Sequence, residues 1–241
     1  NHAGTAAVNT ILDNYKDKHV VVFDRSSVIS FLGCGMALWI GGQISGPGGL
    51  FYASKEAFEQ KGATVHMETE VTHIDFAAKR VTACTKDGAA ITQSYDRLIL
   101  STGSVPICPS VPGMELENVQ FVKEYSHAQA VVDKLARSDI RRVAVVGAGY
   151  IGVELAEAFV RNGRDTTLID CAPTCLSSYY DEDFCARMAD TLRQGGVKLA
   201  FGQTVRRIEG EGRVQRVVTD KGVYVPYLLG NYFDSDVKPF Y

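Results

Sequence analysis

Apolar positions along this chain fall into two kinds of pattern. Uninterrupted runs at His19–Phe23 (HVVVF), Arg97–Leu100, Arg142–Val146 and Thr166–Ile169 read as buried strands. Thr64–Glu68, Val71–Phe76, Arg80–Thr85 and Ala90–Tyr95 alternate apolar with polar residues and are joined by turn residues such as Asp87-Gly88, the pattern of a small β-meander. Helical spacing is expected in the opening NHAGTAAVNTIL segment, in Ser54–Gln60 with Gly62 at its C-terminal cap, in Ser126–Ala136 and in Tyr150–Arg161. Strands and helices alternate twice, so the pattern predicts an α/β fold of two tandem Rossmann-like dinucleotide-binding units, the first carrying the meander. Three of the seven prolines lie between Val105 and Gly113, and a linker is predicted over residues 105–118.

The length of 241 residues suits one to two domains. Charged residues at 22% and hydrophobic ones at 46% exclude disorder and coiled coil. A formal net charge of −3 offers no basic field for a phosphate backbone, so nucleic acid is not an expected partner. The most apolar stretch, Ser30–Tyr52, is broken by glycines and a Gln and is not a membrane span. Six cysteines without a C-x-x-C pair point to reduced thiols, no metal site and a cytoplasmic setting.

The sharpest motif lies in RRVAVVGAGYIGVELAEAF. Here G-x-G-x-x-G follows an apolar strand and opens a helix, with Asp170 at the end of the next strand. Gly147 permits the tight turn, Gly149 lets backbone approach a pyrophosphate, and Gly152 allows close packing of the helix. Helix N–H groups and dipole hold the phosphates, while Asp170 receives the adenosine ribose and repels a 2′-phosphate, so NADH is expected rather than NADPH. The first half repeats the pattern: Gly4 precedes Asp24 by 20 residues as Gly152 precedes Asp170 by 18. Gly4 then reads as the last glycine of a second fingerprint that starts before Asn1.

Cys34 lies between Gly33 and Gly35 ahead of the helix-forming run Met36–Ile40. At a helix N-terminus a thiol is favoured as thiolate, which makes Cys34 a candidate nucleophile. The position five residues on is Trp39, so no local C-x-x-x-x-C disulfide forms. One cysteine still cycles between thiolate and sulfenic acid. His2, on the first turn after a nucleotide strand, is the candidate proton donor. The other five cysteines, at positions 84, 108, 171, 175 and 185, lack such a setting and read as structural or incidental.

Taken together, HAGTAAV, VISFLGCGMALWIGG, GLFYAS, SYDRLILSTGSVP, SHAQA, VVGAGYIGVELAEAF and TLID resemble the pyridine nucleotide-disulfide oxidoreductases, and within them the NADH oxidase branch, over residues 1 to 222. The resemblance implies FAD at the first unit and NAD(H) at the second. It implies that Asp24 takes the FAD ribose, that Thr102 and Gly103 approach the flavin nucleotide, and that His2 and Cys34 form the redox pair, with Cys34 resting as sulfenate. It also implies that Tyr150 shields the flavin until NADH arrives, that Ile151 lies at the cofactor, and that Glu154 lies near the nicotinamide. Gly33 departs from the serine common before the cysteine in this family.

The expected activity is hydride transfer from NADH and reduction of O₂ to water through Cys34. The alternatives are NADH peroxidase, coenzyme A-disulfide reductase, and a non-catalytic NADH-binding redox sensor. Met36-Ala37-Leu38-Trp39 favours the oxidases over the coenzyme A enzymes. The expected domains are an FAD-binding domain over 1–110, an NAD(P)H-binding domain over 111–225 and a tail of unknown structure over 226–241. A first strand and a C-terminal portion are read as missing, the latter with the dimerisation region of a homo-oligomeric parent. Lost ladder bonds at roughly 1 kcal/mol apiece are large beside a domain stability of about 5–15 kcal/mol, so the chain as written is expected not to retain FAD or turn over.

Overall fold

The structure, a computed structural model, describes residues 2–231. Two compact units emerge from the chain's own contacts. Over the described residues the first comprises 2–32 and 48–103, the second 33–47 and 104–231.

In the first unit, helix α1 (His2–Asn14) turns Thr5, Val8 and Leu12 inward. Strand β1 (Val21–Phe23) pairs in parallel with β2 (Thr64–His66), Val22 opposite Val65, and helix α3 (Lys55–Gln60) leads into β2. Ser54 caps α3 by accepting the amide of Ala57 at 3.1 Å, which fixes where that helix begins. Val8, Leu12, Ile29, Phe58, Ala63 and Val65 form one buried cluster beneath these elements. The meander is β3 (Thr69–Asp75), β4 (Arg80–Thr85) and β5 (Ala90–Ser94), antiparallel throughout, with a register shift between Val71 and His73.

Two expectations for this unit change. Thr64–Glu68 is not a meander strand. It follows a helix, and a strand reached through a helical crossover joins its sheet in parallel, here beside β1. Arg97–Leu100 is not a strand, and Ile99 and Leu100 are 57% and 58% exposed. Among the described residues β1 pairs only with β2, so the 97–100 segment has no strand beside it.

The second unit is built on a five-stranded parallel sheet in the order β6-β13-β7-β8-β9. Its strands are β6 (Val119–Phe121), β7 (Arg142–Val146), β8 (Asp165–Ile169), β9 (Lys198–Ala200) and β13 (Leu228–Asn231). Burial of Val143 to Val146 explains why β7 is apolar at consecutive positions rather than alternate ones. Helices α4 (Tyr125–Leu135), α5 (Tyr150–Arg161) and α6 (Glu182–Gln194) form the helical part of this α/β unit. Strands β10 (Val205–Glu209), β11 (Arg216–Thr219) and β12 (Val223–Tyr224) make a separate antiparallel sheet.

The expected tail is in part core. Leu228 and Leu229 are fully buried, and β13 lies between β6 and β7, with Leu229 opposite Val119 on one side and Ala144 on the other. Residues 232–241 of that tail lie outside the described residues. The expected linker is likewise part of this unit over its later half. The Pro112 carbonyl accepts the Ile208 amide at 2.8 Å, and Glu117 exchanges bonds with Gly212 and Val214. Gly113 sits at φ 91° where a Cβ would strike the Ile208 carbonyl, so only glycine brings the chain this close. The division falls at Gly103 rather than near residue 110, and residues 33–47 group with the second unit. Their helix, α2 (Met36–Ile40), packs there: Trp39 stacks on Tyr125 at 5.8 Å, Gly41 approaches Ala158, and the Asn162 side-chain Nδ2 donates to the Ile40 carbonyl.

Candidate functional site

In the second unit the chain leaves β7 into the turn Gly147-Ala148-Gly149 and enters α5 at Tyr150. Gly147 takes φ 102°, a region costly for any residue with a Cβ. A Cβ on Gly152 would lie 1.7 Å from the Gly147 carbonyl oxygen, so the first turn of α5 rests directly on the loop that feeds it. Gly149 precedes α5 in extended conformation with no side chain capping the helix. The first amides of a 12-residue helix are therefore presented as donors, backed by its dipole, the arrangement that receives a phosphate.

Asp170, at the end of β8, closes the turn. One carboxylate oxygen accepts the Ala148 amide and the other accepts the Ala172 amide at 2.7 Å. The sequence assigned this residue to a ribose; the structure adds that it holds the glycine turn against the sheet. The neighbouring Cys171 thiol is pushed up by burial and by the Asp170 charge, away from thiolate.

Tyr150 carries its ring out from the first position of α5 at 44% exposure. It packs against Tyr179 with centroids 4.5 Å apart, and its hydroxyl donates to that of Tyr180 at 2.8 Å. That bond, first, and some burial hold the Tyr150 hydroxyl above its usual pKa. Ile151 is half-buried. Glu154 lies one turn along α5, its carboxyl pushed up by burial and by the like charge of Glu157. Tyr179 and Tyr180 were not read from the sequence; the aromatic pair between Asp170 and the acidic start of α6 was the available signal.

Cys34 lies in this unit. Its thiol is exposed, on a 3₁₀ turn (Gly33–Gly35) that runs into α2, a helix of only five residues. A Cβ on Gly33 would lie 3.6 Å from the Lys123 carbonyl, which places the turn beside the entry to α4. That entry is a capping box in which Glu124 and His127 cross-bond, the His127 Nδ1 accepting the Glu124 amide at 3.3 Å. Burial lowers the His127 pKa, opposed by the charge of Glu124.

His2, Gly4, Asp24, Thr102 and Gly103 belong to the first unit. The His2 Nδ1 lies 2.6 Å from the Tyr52 hydroxyl, and the two rings stack at 5.6 Å with planes 5° apart. Ser30 anchors the segment bearing Tyr52. Its buried hydroxyl donates to the Ala53 carbonyl and accepts the amides of Tyr52 and Ala53 at 2.7 to 3.0 Å. Gly4 brings α1 against Ser101, whose Cβ would be 3.4 Å from an added methyl. Thr102 and Gly103 follow as exposed residues, Gly103 at φ 67°. Asp24 ends β1 and accepts the Ser26 amide at 2.8 Å, the position Asp170 holds after β8. The structure thus brings Gly147, Gly149, Tyr150, Gly152 and Asp170 together at one turn, and gives His2 the partner Tyr52, a residue of the GLFYAS segment.

The family model described as pyridine nucleotide-disulphide oxidoreductase matches residues 1–229. An NADH oxidase of Streptococcus pyogenes is 53% identical over 236 residues, covering 93% of this chain and 52% of that protein. An NADH oxidase of Lactococcus lactis is 46% identical over 226 residues, covering 93% and 51%. Among solved structures, the water-forming NADH oxidase from Lactobacillus brevis bound to NADH matches at a TM-score of 0.90 with 40% identity, covering 95% of this chain and 50% of that one. An engineered water-forming NADPH oxidase bound to NADPH matches at 0.91, also with 40% identity, covering 95% and 51%. The chain spans about half the length of these relatives. No helix among the described residues is long and apolar enough to cross a membrane.

Proposed function

The chain belongs to the pyridine nucleotide-disulphide oxidoreductase family, and from that premise we propose that it is the dinucleotide-binding portion of an FAD-dependent oxidase that takes hydride from NADH and reduces O₂ to water. The observation that carries this reading is the glycine turn held by Asp170 at the mouth of α5, because that arrangement offers amides to a pyrophosphate and a carboxylate to a ribose. Its amides receive the pyrophosphate, Asp170 receives the adenosine ribose, and its charge disfavours a 2′-phosphate, which makes NADH the donor. Glu154, whose carboxyl is pushed towards the protonated form, lines the nicotinamide end.

The first unit is the FAD portion in this reading, with Asp24 at the ribose and with Gly4, Thr102 and Gly103 where backbone meets the nucleotide. The Asp24 carboxylate, an acceptor at the end of β1, and the close approach at Gly4 suit such a ligand. FAD, when bound, supplies the two-electron relay between NADH and oxygen. Cys34 carries the second half of the reaction. Its thiolate sulfur attacks the O–O bond of a peroxide, an S–O bond forms, and the departing oxygen leaves as water after taking a proton. Two further reducing equivalents from NADH return the sulfenate to thiolate and release a second water. In this reading His2 keeps the part of proton donor that the family resemblance gives it, and with Nδ1 facing the Tyr52 hydroxyl at 2.6 Å the proton-bearing atom is Nε2.

The test uses the protein at the length of its relatives. Anaerobic NADH is expected to bleach the flavin absorbance, and air is expected to restore it. An unbleached flavin contradicts the reading, and faster consumption of NADH with added H₂O₂ than with O₂ assigns the peroxidase alternative.

A further inference from the structure

The turn between β8 and α6 is built onto the glycine turn. The Leu176 amide donates to the Ala148 carbonyl at 2.9 Å, and the Leu176 carbonyl then accepts the amides of Tyr179 and Tyr180 at 2.9 and 3.2 Å. Leu176 itself is buried and takes φ 56°, a conformation that persists only where surrounding contacts impose it. Downstream, Asp181 caps α6 through the Phe184 amide, and the Tyr180 ring packs near Phe184 at 6.4 Å. Both ends of this turn are therefore fixed, and it presents Tyr179 and Tyr180 to the ring of Tyr150.

Tyr150 is poorly packed by comparison. It is almost half exposed, at the first position of α5, and is held by two ring contacts, with Tyr179 at 4.5 Å and edge-on with Tyr180 at 6.1 Å, and by one hydroxyl bond. Asp170 takes the amide of Ala148, so the adenosine half of a dinucleotide belongs on that side of the turn. Tyr150 is carried past Gly149, beyond the pyrophosphate donors, and meets the other half.

We infer that Tyr180 is a positioning residue whose hydroxyl latches Tyr150 across the seat of the nicotinamide half of NADH, so that the bond between the two hydroxyls must break before the nicotinamide enters. The inference rests on the NADH reading above. The position after Tyr179 thereby becomes a determinant of NADH affinity without touching NADH itself. The raised pKa of the Tyr150 hydroxyl agrees with a proton held in that bond.

The experiment compares NADH, followed by fluorescence, with ADP-ribose, followed by calorimetry, for the wild type, Tyr180→Phe, Tyr150→Phe and the double variant. Tyr180→Phe keeps the ring that packs on Phe184 and removes only the hydroxyl. It is expected to tighten NADH about two- to fivefold, the worth of one partly exposed hydrogen bond, with ADP-ribose unchanged because that ligand has no nicotinamide. Tyr150→Phe is expected to give the same shift, and the double variant no more than either single one. Unchanged NADH affinity, an equal shift in both ligands, or additive single effects overturns the latch. A wild type that binds neither ligand overturns the NADH reading and the latch with it.

Discussion

Asp170 accepts the amide of Ala148, so the carboxylate proposed to receive the ribose also holds the glycine turn. The two roles separate on substitution. Asp170→Ala leaves the Ala148 and Ala172 amides without their charged acceptor, a loss of about 1.5–3 kcal/mol per bond where the amide stays dry. Asp170→Asn keeps one acceptor oxygen and costs less. Both variants are expected to weaken NADH at least about tenfold and to narrow its margin over NADPH, because the charge that opposes a 2′-phosphate is gone. Titrations with both nucleotides check this, and an unaltered NADH-to-NADPH ratio in Asp170→Asn would remove Asp170 from the specificity argument.

Ser30 is the corresponding anchor in the first unit. Its hydroxyl satisfies the Tyr52 and Ala53 amides and the Ala53 carbonyl from a fully buried position at φ 64°. Ser30→Ala is expected to destabilise the protein by about 2–4 kcal/mol, since buried amides lose their acceptor. Chemical denaturation measures this, and a loss below about 0.5 kcal/mol would mean that water replaces the hydroxyl.

His127 gives the second unit a pH dependence. Burial lowers its pKa, so below its ordinary value of about 6.5 the unfolded chain takes up the proton first. Stability contributed by the neutral imidazole is present above that pH and is lost as pH falls through and below it. The melting temperature is expected to drop between pH 7 and pH 5, and His127→Gln, which retains an acceptor for the Glu124 amide, is expected to reduce that slope. An identical slope in the variant assigns the acid sensitivity elsewhere.

Much of the fold was legible where local pattern and long-range pairing agree. The unit β7-α5-β8 could be read because an apolar strand, a glycine turn and a helix of regular spacing occur in one short stretch, and each glycine has a geometric reason to be there. Strand β13 could not. Leu228–Asn231 is four residues long, and its partners Val119 and Ala144 are far away in the chain, so no local signal marks it as the middle of a sheet. Helix α6 carries its own punctuation, with Asp181 as cap, Glu182 and Asp183 in the first turn, Arg193 in the last and Gly195 beyond. Residues 33–47 illustrate a different limit. Their grouping with the second unit depends on Trp39 meeting Tyr125 and Asn162 reaching Ile40, contacts that only the tertiary structure creates. Of the candidate site, the glycines and Asp170 follow from spacing, whereas the Tyr52 and Tyr180 hydroxyls find their partners in distant segments, which spacing does not show.

The role of Cys34 is open to the most direct measurement, the hydrogen peroxide formed per NADH consumed in air. With the protein at the length of its relatives, the wild type is expected to accumulate almost no peroxide, and Cys34→Ser about one equivalent per NADH, because the thiolate that would reduce the peroxide onward to water is gone. A Cys34→Ser protein that still produces water contradicts the account.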